Sequence, residues 1–248
     1  MDIQFFLLAT IAVLYAGISK GGFGSGAAFL AAPLMALVVE PDYAVGLMLP
    51  LLMLMDATAL RPFWGKWDGG SVKRLILGSL PGVALGALLF RYAEPDVLRV
   101  ILGLVSLSFV GYQLSRKFSL LPKRPVVFRP WVGYLTGAAA GFTSYVSHAG
   151  GPLVAIYMLA QNVGKTTYQS TSVIVFWAIN LFKALPYALL GLFTADTLLV
   201  DIILAPVAVV GVFIGVKAHH FLPEHIFFNV TYVLLVCTGL KLIYDGVL

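Results

Sequence analysis

A lysine and several glycines interrupt an apolar stretch near the start of the chain, residues 15–34 (YAGISKGGFGSGAAFLAAPL). A second stretch, residues 134–153 (YLTGAAAGFTSYVSHAGGPL), has Tyr, Gly, Phe, Ser and Pro-Leu at matching positions. Glycine is a poor helix former and lysine is costly in hydrocarbon, so both stretches are predicted to break a helix inside a membrane. A helix that begins at such a break directs unpaired N–H groups and the positive end of its dipole at the break. Two breaks that meet are therefore expected to bind a small anion.

The candidate substrate-binding residues lie at these two breaks and on one later helix. Lys20 supplies a positive charge, the glycines let a substrate reach the backbone, and Ser25 and Ser144 add hydroxyl donors. Small residues also allow helices to pack closely, so a packing role for each glycine stays open. The candidates are Lys20, Gly21, Gly22, Gly24, Ser25, Gly26, Thr143, Ser144, Ser147, His148, Gly150, Gly151, Asn180 and Lys183.

Two lysines within apolar sequence have two interpretations each. Lys20 lies at the first break, where its ammonium group either pairs with an anion or reaches a membrane interface. Lys183 lies three residues after Asn180, so both share one face of a helix and are suited to contact a substrate. Because Pro186 follows closely, an end of the helix and an outward-reaching Lys183 are the other interpretation.

Asp56 and His148 are the candidates for carrying a coupling proton or ion. Asp56 is the most isolated acid of the apolar segments and corresponds to Asn180 in the second half, and pairing with Lys20 or Lys183 is the favoured interpretation. His148 lies just before the second half-helix, where an imidazole can take up a proton near neutral pH or donate a neutral hydrogen bond. The other three histidines, at 219, 220 and 225, are expected in a solvated turn, and Gln169 is expected only to begin a helix.

The amino-acid composition indicates whether this chain lies in water or in a membrane. Of its 248 residues 60% are hydrophobic and 11% are charged, and the mean hydropathy is +0.96. An average soluble domain has about 25% charged residues, so the sequence predicts a membrane protein. The net charge of +5 lies in short loops without a basic face, which argues against nucleic acid as a partner. A single cysteine, Cys237, excludes an intramolecular disulfide or a cysteine metal cluster, and no cofactor is expected.

Ten apolar segments form two sets of five in a single membrane domain, 1–248. A spanning helix needs about 20 residues, so the third, fourth and fifth segments of each set are predicted to cross. The second segment of each set is too short, and each set therefore begins with a re-entrant or broken helical hairpin whose irregular backbone is buried in protein. The fold class is an all-α polytopic membrane protein with two repeats, about 1–114 and 131–248. The segments are 3–19, 26–39, 43–60, 70–90, 96–114, 131–146, 150–160, 167–192, 197–217 and 225–244.

Basic loops predict the orientation. The linker 115–130 between the repeats and the loop after segment 43–60 are both rich in Lys and Arg, so both are expected on the cytoplasmic side. This places both termini outside the cytoplasm and inserts the second repeat upside down relative to the first. Inverted repeats with interrupted segments are typical of secondary transporters that bind substrate near the midplane. The basic residues are Arg61, Lys66, Lys73, Arg74, Arg116, Lys117, Lys123, Arg124 and Arg129.

The stretch AGISKGGFGSGAAFLAAPL, the basic turn that ends in GKWD and the weaker second copy resemble the sulfite exporter TauE/SafE family of membrane permeases. The resemblance extends over nearly the whole chain and implies export of small anions, especially sulfur oxyanions and organosulfonates, across a prokaryotic plasma membrane. The second copy has Ala139, Ala140, Thr143 and Tyr145 where the first has Lys20, Gly21, Gly24 and Gly26. The anion site is therefore expected to be asymmetric.

Two other functions are compatible with the residues. An intramembrane enzyme would use Ser144 or Ser147 as a nucleophile with His148 as its base, but Phe29 matches His148 in the first copy, so one catalytic site does not explain the duplication. A noncatalytic membrane subunit is argued against by Lys20 and Asp56. No nucleotide-binding motif is present, so a transporter would use an ion gradient or the membrane potential. The sequence has no signature of an oligomeric state.

Overall fold

The structure is a computed structural model that describes residues 3–23, 28–118, 128–161, 163–221 and 224–248. The described residues form helices and short connections. The ten α-helices are α1 (Ile3–Ile18), α2 (Ala31–Met35), α3 (Pro41–Phe63), α4 (Gly69–Tyr92), α5 (Pro95–Lys117), α6 (Pro130–Ser147), α7 (Gly151–Ala160), α8 (Lys165–Leu189), α9 (Ala195–Phe221) and α10 (Glu224–Val247).

Seven helical segments of the described chain are long and apolar enough to cross a membrane. Six of them are the predicted spanning helices α3, α4, α5, α8, α9 and α10. The seventh is Ile3–Phe23, in which α1 continues into the π-helix Ser19–Phe23. The all-helical membrane class predicted from the sequence is thus confirmed, and the first limb of the first hairpin has the length of a spanning helix.

The second limb of each hairpin is short, as the apolar segments predicted. In the first half a 3-10 turn, Ala28–Leu30, leads into the five-residue helix α2. In the second half α6 ends at Ser147 and the ten-residue helix α7 begins at Gly151. Neither α2 nor α7 approaches the roughly 20 residues that a crossing requires. Most of the predicted linker, together with Gly24, Ser25 and Gly26 of the first break, lies outside the described residues.

Proline and carboxylate residues fix several helix starts. Pro41 is at the first turn of α3, where its missing N–H costs no hydrogen bond. The Asp68 carboxylate caps α4 by accepting a hydrogen bond from the Ser71 backbone N–H at 2.8 Å. Hydrogen bonding by Ser71, through its side chain and its backbone N–H, lowers the pKa of the Asp68 carboxyl group below its ordinary value. The loop between α3 and α4, which is predicted to face the cytoplasm, thus ends in a residue that caps the start of α4.

Contacts between the halves come in matched pairs. The first helix of each half packs on the fourth helix of the other half, α1 on α9 and α6 on α4. The third helices, α3 and α8, pack on each other, and so do the fifth helices, α5 and α10. A two-fold relation between the two predicted repeats would produce such an exchange. The inverted orientation of the repeats across the membrane stays a prediction.

Glycines make the two hairpin contacts close. A Cβ atom on Gly82 of α4 would collide with the Ala138 carbonyl oxygen of α6, and one on Gly17 of α1 would collide with the Ala208 carbonyl of α9. Without side chains the two backbones approach until dispersion contacts hold them, which is the main attraction between helices in lipid. The hairpins are therefore fixed against the opposite half of the molecule.

The third helix of each half lies at the centre. Among the candidate spanning helices, α3 and α8 have the largest share of buried residues in their apolar stretch, 61% and 50%. The corresponding share in α10 is 28%. Side chains on α3 and α8 are thus enclosed by the other helices. This position decides what their polar residues can contact.

Candidate functional site

The first break holds a buried lysine. The π-helix Ser19–Phe23 widens the end of α1, and the side chain of Lys20 within it is only 3% exposed. Its Nζ lies 2.5 Å from Oδ1 of Asp56 on α3, whose side chain is fully buried. π-helical turns are rare and often occur at functional sites. The pairing of Lys20 with Asp56 that the sequence favoured is present in the structure, and an interfacial Lys20 is wrong.

α8 connects this ion pair to the second break. Asn180 donates from Nδ2 to the other Asp56 oxygen, Oδ2, at 2.8 Å. Its own Oδ1 lies 3.4 Å from the Nζ of Lys183, which is also fully buried. The outward-reaching interpretation of Lys183 is therefore wrong, because α8 continues past Pro186 to Leu189 and keeps this side chain inside the protein.

At the second break, His148 ends α6 in the left-handed conformation with φ 56°. Lys183 Nζ donates to the Ser144 carbonyl oxygen at 2.7 Å and lies 2.7 Å from Nδ1 of His148. An ammonium group has only donors, so Nδ1 accepts and the imidazole hydrogen lies on Nε2. Nε2 then donates to the Val45 carbonyl of α3 at 3.0 Å. Both ring nitrogens of a neutral His148 are thus engaged.

One face of α8 reaches both breaks. Gln169 donates from Nε2 to the Lys20 carbonyl at 2.5 Å, and the ring of Phe176 lies 5.9 Å from Lys20 Nζ. Asn180 and Lys183 continue the same face toward α6. These positions recur at the spacing that places helical side chains in one row. α8 therefore contacts both breaks and connects them.

The joined cluster contains two lysines, whereas the described hydrogen bonds bring it one carboxylate. Lys183 Nζ contacts four groups, the Ser144 carbonyl, the Ser144 hydroxyl, His148 Nδ1 and Asn180 Oδ1, to which an ammonium group can donate. Lys20 is the second cation, and Asp56 is the carboxylate that the described hydrogen bonds bring to the cluster. A buried charge without a counterion costs several kcal/mol. The cluster is therefore suited to receive one small anion.

Several predicted residues have other contacts. The hydroxyl of Ser147 donates to the Thr143 carbonyl at 2.9 Å, and that of Thr143 donates to the Ala139 carbonyl at 2.9 Å. Thr143 also lines an apolar crevice of about 390 Å³ beside α5, separate from the buried cluster. Among the described hydrogen bonds, neither Ser144 nor Ser147 contacts the imidazole of His148. The serine–histidine pair that an enzyme would need is absent from this part of the chain.

Three predicted glycines pack against other parts of the protein. A Cβ atom on Gly21 would collide with the Val212 carbonyl of α9, and one on Gly22 would collide with the Gly215 carbonyl. One on Gly150 would meet the Ala140 carbonyl of α6. These positions support the packing role that the sequence left open. Gly151 begins α7, and its substrate role stays a prediction.

The structure also shows polar residues that the sequence interpretation undervalued. His219 is buried, and its Nδ1 lies 2.6 Å from the Gly22 carbonyl, so the solvated turn predicted for it is wrong; the side chains of the other two histidines lie outside the described ones. Gln169 does more than begin a helix, because it binds the backbone of the first break.

Asp201 of α9 is a second buried acid. Its position inside an apolar segment was the signal that could have found it.

A helical, multi-pass membrane protein in which two broken hairpins meet at a buried cationic cluster has the architecture of a membrane transporter. The model of the family named sulfite exporter TauE/SafE matches residues 9–242 of the 248. The chain belongs to this family, which confirms the resemblance seen in the glycine-rich stretch and indicates transport of an anion or sulfur compound. No curated protein and no solved structure gives a significant match.

Proposed function

We propose that the protein is a secondary transporter that exports a small anion, a sulfur oxyanion or an organosulfonate, across the plasma membrane. The observation that carries the proposal is the buried cluster in which two lysines, Lys20 and Lys183, lie near one carboxylate, that of Asp56. With both lysines protonated, one anion would balance the charge of this cluster. Family membership adds the expectation of a sulfur compound, and the absence of an enzymatic serine–histidine contact in the described residues argues against the enzyme hypothesis.

The substrate would bind between Lys20 and Lys183. An oxyanion offers acceptors that compete with Asp56 for the Lys20 ammonium and with the Ser144 carbonyl for Lys183. Backbone N–H groups at the start of α7 supply further donors, and the helix dipole favours negative charge there. Asp56 would keep Asn180 as its donor while Lys20 turns to the anion. The network thus can rearrange without leaving Asp56 unpaired.

Alternating access would follow from the exchanged packing of the halves. Each hairpin is fixed to the fourth helix of the other half, α1 on α9 and α6 on α4. Rocking one inverted half against the other would carry the site from one side of the membrane to the other.

Counterflow in liposomes that contain the purified protein tests this function. Labelled sulfite, thiosulfate and methanesulfonate are supplied outside vesicles preloaded with the same unlabelled anion. We expect uptake of at least one anion, and we expect Lys183→Gln, which removes a charge but keeps hydrogen-bond donors, to weaken its apparent affinity. Lys241→Gln is the matched control, because Lys241 is an exposed lysine that pairs with Asp245 on α10. Folded protein that carries none of the three anions would contradict the proposal.

The proposed orientation, with both termini outside the cytoplasm, has a separate test. A cysteine replacing Leu248 in a Cys237→Ser background is treated in intact cells with a membrane-impermeant maleimide. Labelling before lysis is expected. Labelling only after lysis would place the C-terminus inside and reverse the inferred direction of the two halves.

A further inference from the structure

Asp201 is buried in the spanning region and has no hydrogen-bond partner among the described residues. It lies near the start of α9, its side chain is 7% exposed, and both Oδ1 and Oδ2 are buried without a donor. Asp56, in contrast, is held by a lysine and an amide. An ionised carboxylate without a partner costs several kcal/mol in such a place. A proton on the Asp201 carboxyl group would remove this cost.

The surroundings of Asp201 provide no counterion. α9 packs against α3, α1 and the π-helix. The titratable group of α3 that interacts with Asp201 is the Tyr43 hydroxyl, which is an acid. Ile3–Ile18 of α1 contains no acidic or basic residue, and the lysine of the π-helix is paired with Asp56. The described residues of these elements thus bring no cationic group within hydrogen-bond distance of this carboxyl group.

α9 connects Asp201 to the first break. Beyond Asp201 the helix contains Pro206, which removes the hydrogen bond to the Ile202 carbonyl and leaves a flexible point. Further along, the backbone of α9 packs directly against Gly21 and Gly22. α9 belongs to the second half but packs on the first, so movement of one half against the other must shift α9 along α1 and α3.

We propose that Asp201 is the residue that carries the coupling proton during transport. The proton stays on the carboxyl group while α9 is packed against α3. When the halves rock and water reaches this contact, the carboxyl O–H bond breaks, the proton passes to water, and the carboxylate becomes solvated. Asp56 and His148, whose acceptors and donors are engaged in the substrate cluster, then serve binding. This assignment rests on the proposed anion transport.

The test compares two kinds of flux in liposomes with labelled sulfite. Counterflow without a pH gradient measures binding and reorientation alone, whereas accumulation driven by an imposed pH gradient, with the membrane potential clamped, requires proton coupling. Asp201→Asn mimics the protonated side chain and keeps its shape. We expect it to retain counterflow and to lose the pH-driven accumulation. Asp196→Asn, an acid on the exposed start of α9, is the matched control and should keep both.

Infrared spectroscopy provides a second measurement that does not depend on transport. A protonated carboxyl group has a C=O stretching band that a carboxylate lacks, and the difference between the wild type and Asp201→Asn at neutral pH should contain it. Absence of this band, or pH-driven accumulation by Asp201→Asn equal to that of the wild type, would overturn the assignment. Absence of counterflow in the wild type with the band present would instead reject the transport function and leave a protonated Asp201 in place.

Discussion

Replacement of Asp56 by asparagine should unbalance the buried cluster more than replacement of its partner. Lys20→Met leaves Asp56 with its hydrogen bond from Asn180, whereas Asp56→Asn leaves the buried Lys20 ammonium without a counterion, with a neutral amide oxygen and the ring of Phe176, 5.9 Å away, as its neighbours. Breaking a buried ion pair costs about 3–5 kcal/mol, and a cation–π contact recovers about 1 kcal/mol. We expect Lys20→Met near the lower figure and Asp56→Asn near the upper one.

The anion hypothesis adds a second part to this prediction. Asp56→Asn has two unbalanced lysines, so a bound oxyanion should replace the lost carboxylate and stabilise the variant more than the wild type. At a concentration of 100 times Kd, a ligand adds about 2.7 kcal/mol to the apparent stability. Thermal unfolding of the detergent-solubilised protein, with and without sulfite, measures both parts.

The control for both parts is an acid at the surface. Asp245→Asn removes the partly exposed partner of Lys241 and should change stability by about 1 kcal/mol or less. Equal losses for Asp56→Asn and Asp245→Asn would refute the ion-pair reasoning. Stabilisation by sulfite that is no greater in Asp56→Asn than in the wild type would refute the idea that an anion occupies the place of the carboxylate.

Three further predictions concern the elements that hold the site. Gly82→Ala should destabilise the α4–α6 contact by about 1–3 kcal/mol, while Gly111→Ala, where an added Cβ meets no atom within 4 Å, should not; thermal unfolding of both compares them. His219→Phe should cost about 1 kcal/mol, because it removes the hydrogen bond to Gly22 but keeps a ring in the same place, and a loss as small as that of an exposed substitution would contradict the buried role. The cap by Asp68 should stabilise the protein fully near neutral pH and less as the pH falls through its lowered pKa, so Asp68→Asn should flatten the acid limb of the stability profile.

Much of the helical architecture follows directly from the apolar pattern. The long segments form helices of spanning length as predicted, because a membrane requires a continuous apolar helix of that length, and composition alone reveals such segments. The breaks at Lys20 and His148 were also visible, since each interrupts an apolar run. The extent of α1 was less predictable. Its continuation through a π-helix depends on the backbone of α9, against which Gly21 and Gly22 pack.

The repeat identified Asp56 and Asn180 as equivalent positions but did not predict that they touch. Their 2.8 Å contact arises because α3 and α8 meet at the centre, where equivalent residues of two related halves come together. Gln169 and Asp201 had no comparable sequence signal of contact. Whether a glutamine binds a helix break, or an acid is left without a donor, depends on the neighbouring helices.

The sequence by itself determined that this is a polytopic helical membrane protein of the sulfite exporter family with two interrupted hairpins, because hydrophobic length and glycine-rich motifs are properties of the chain. The tertiary structure decided which polar groups share one buried cluster and which glycines serve packing. It alone separated Asp56, paired with Lys20, from Asp201, which has no hydrogen-bond partner among the described residues, because the electrostatic state of a buried acid depends on what other helices bring within hydrogen-bond distance.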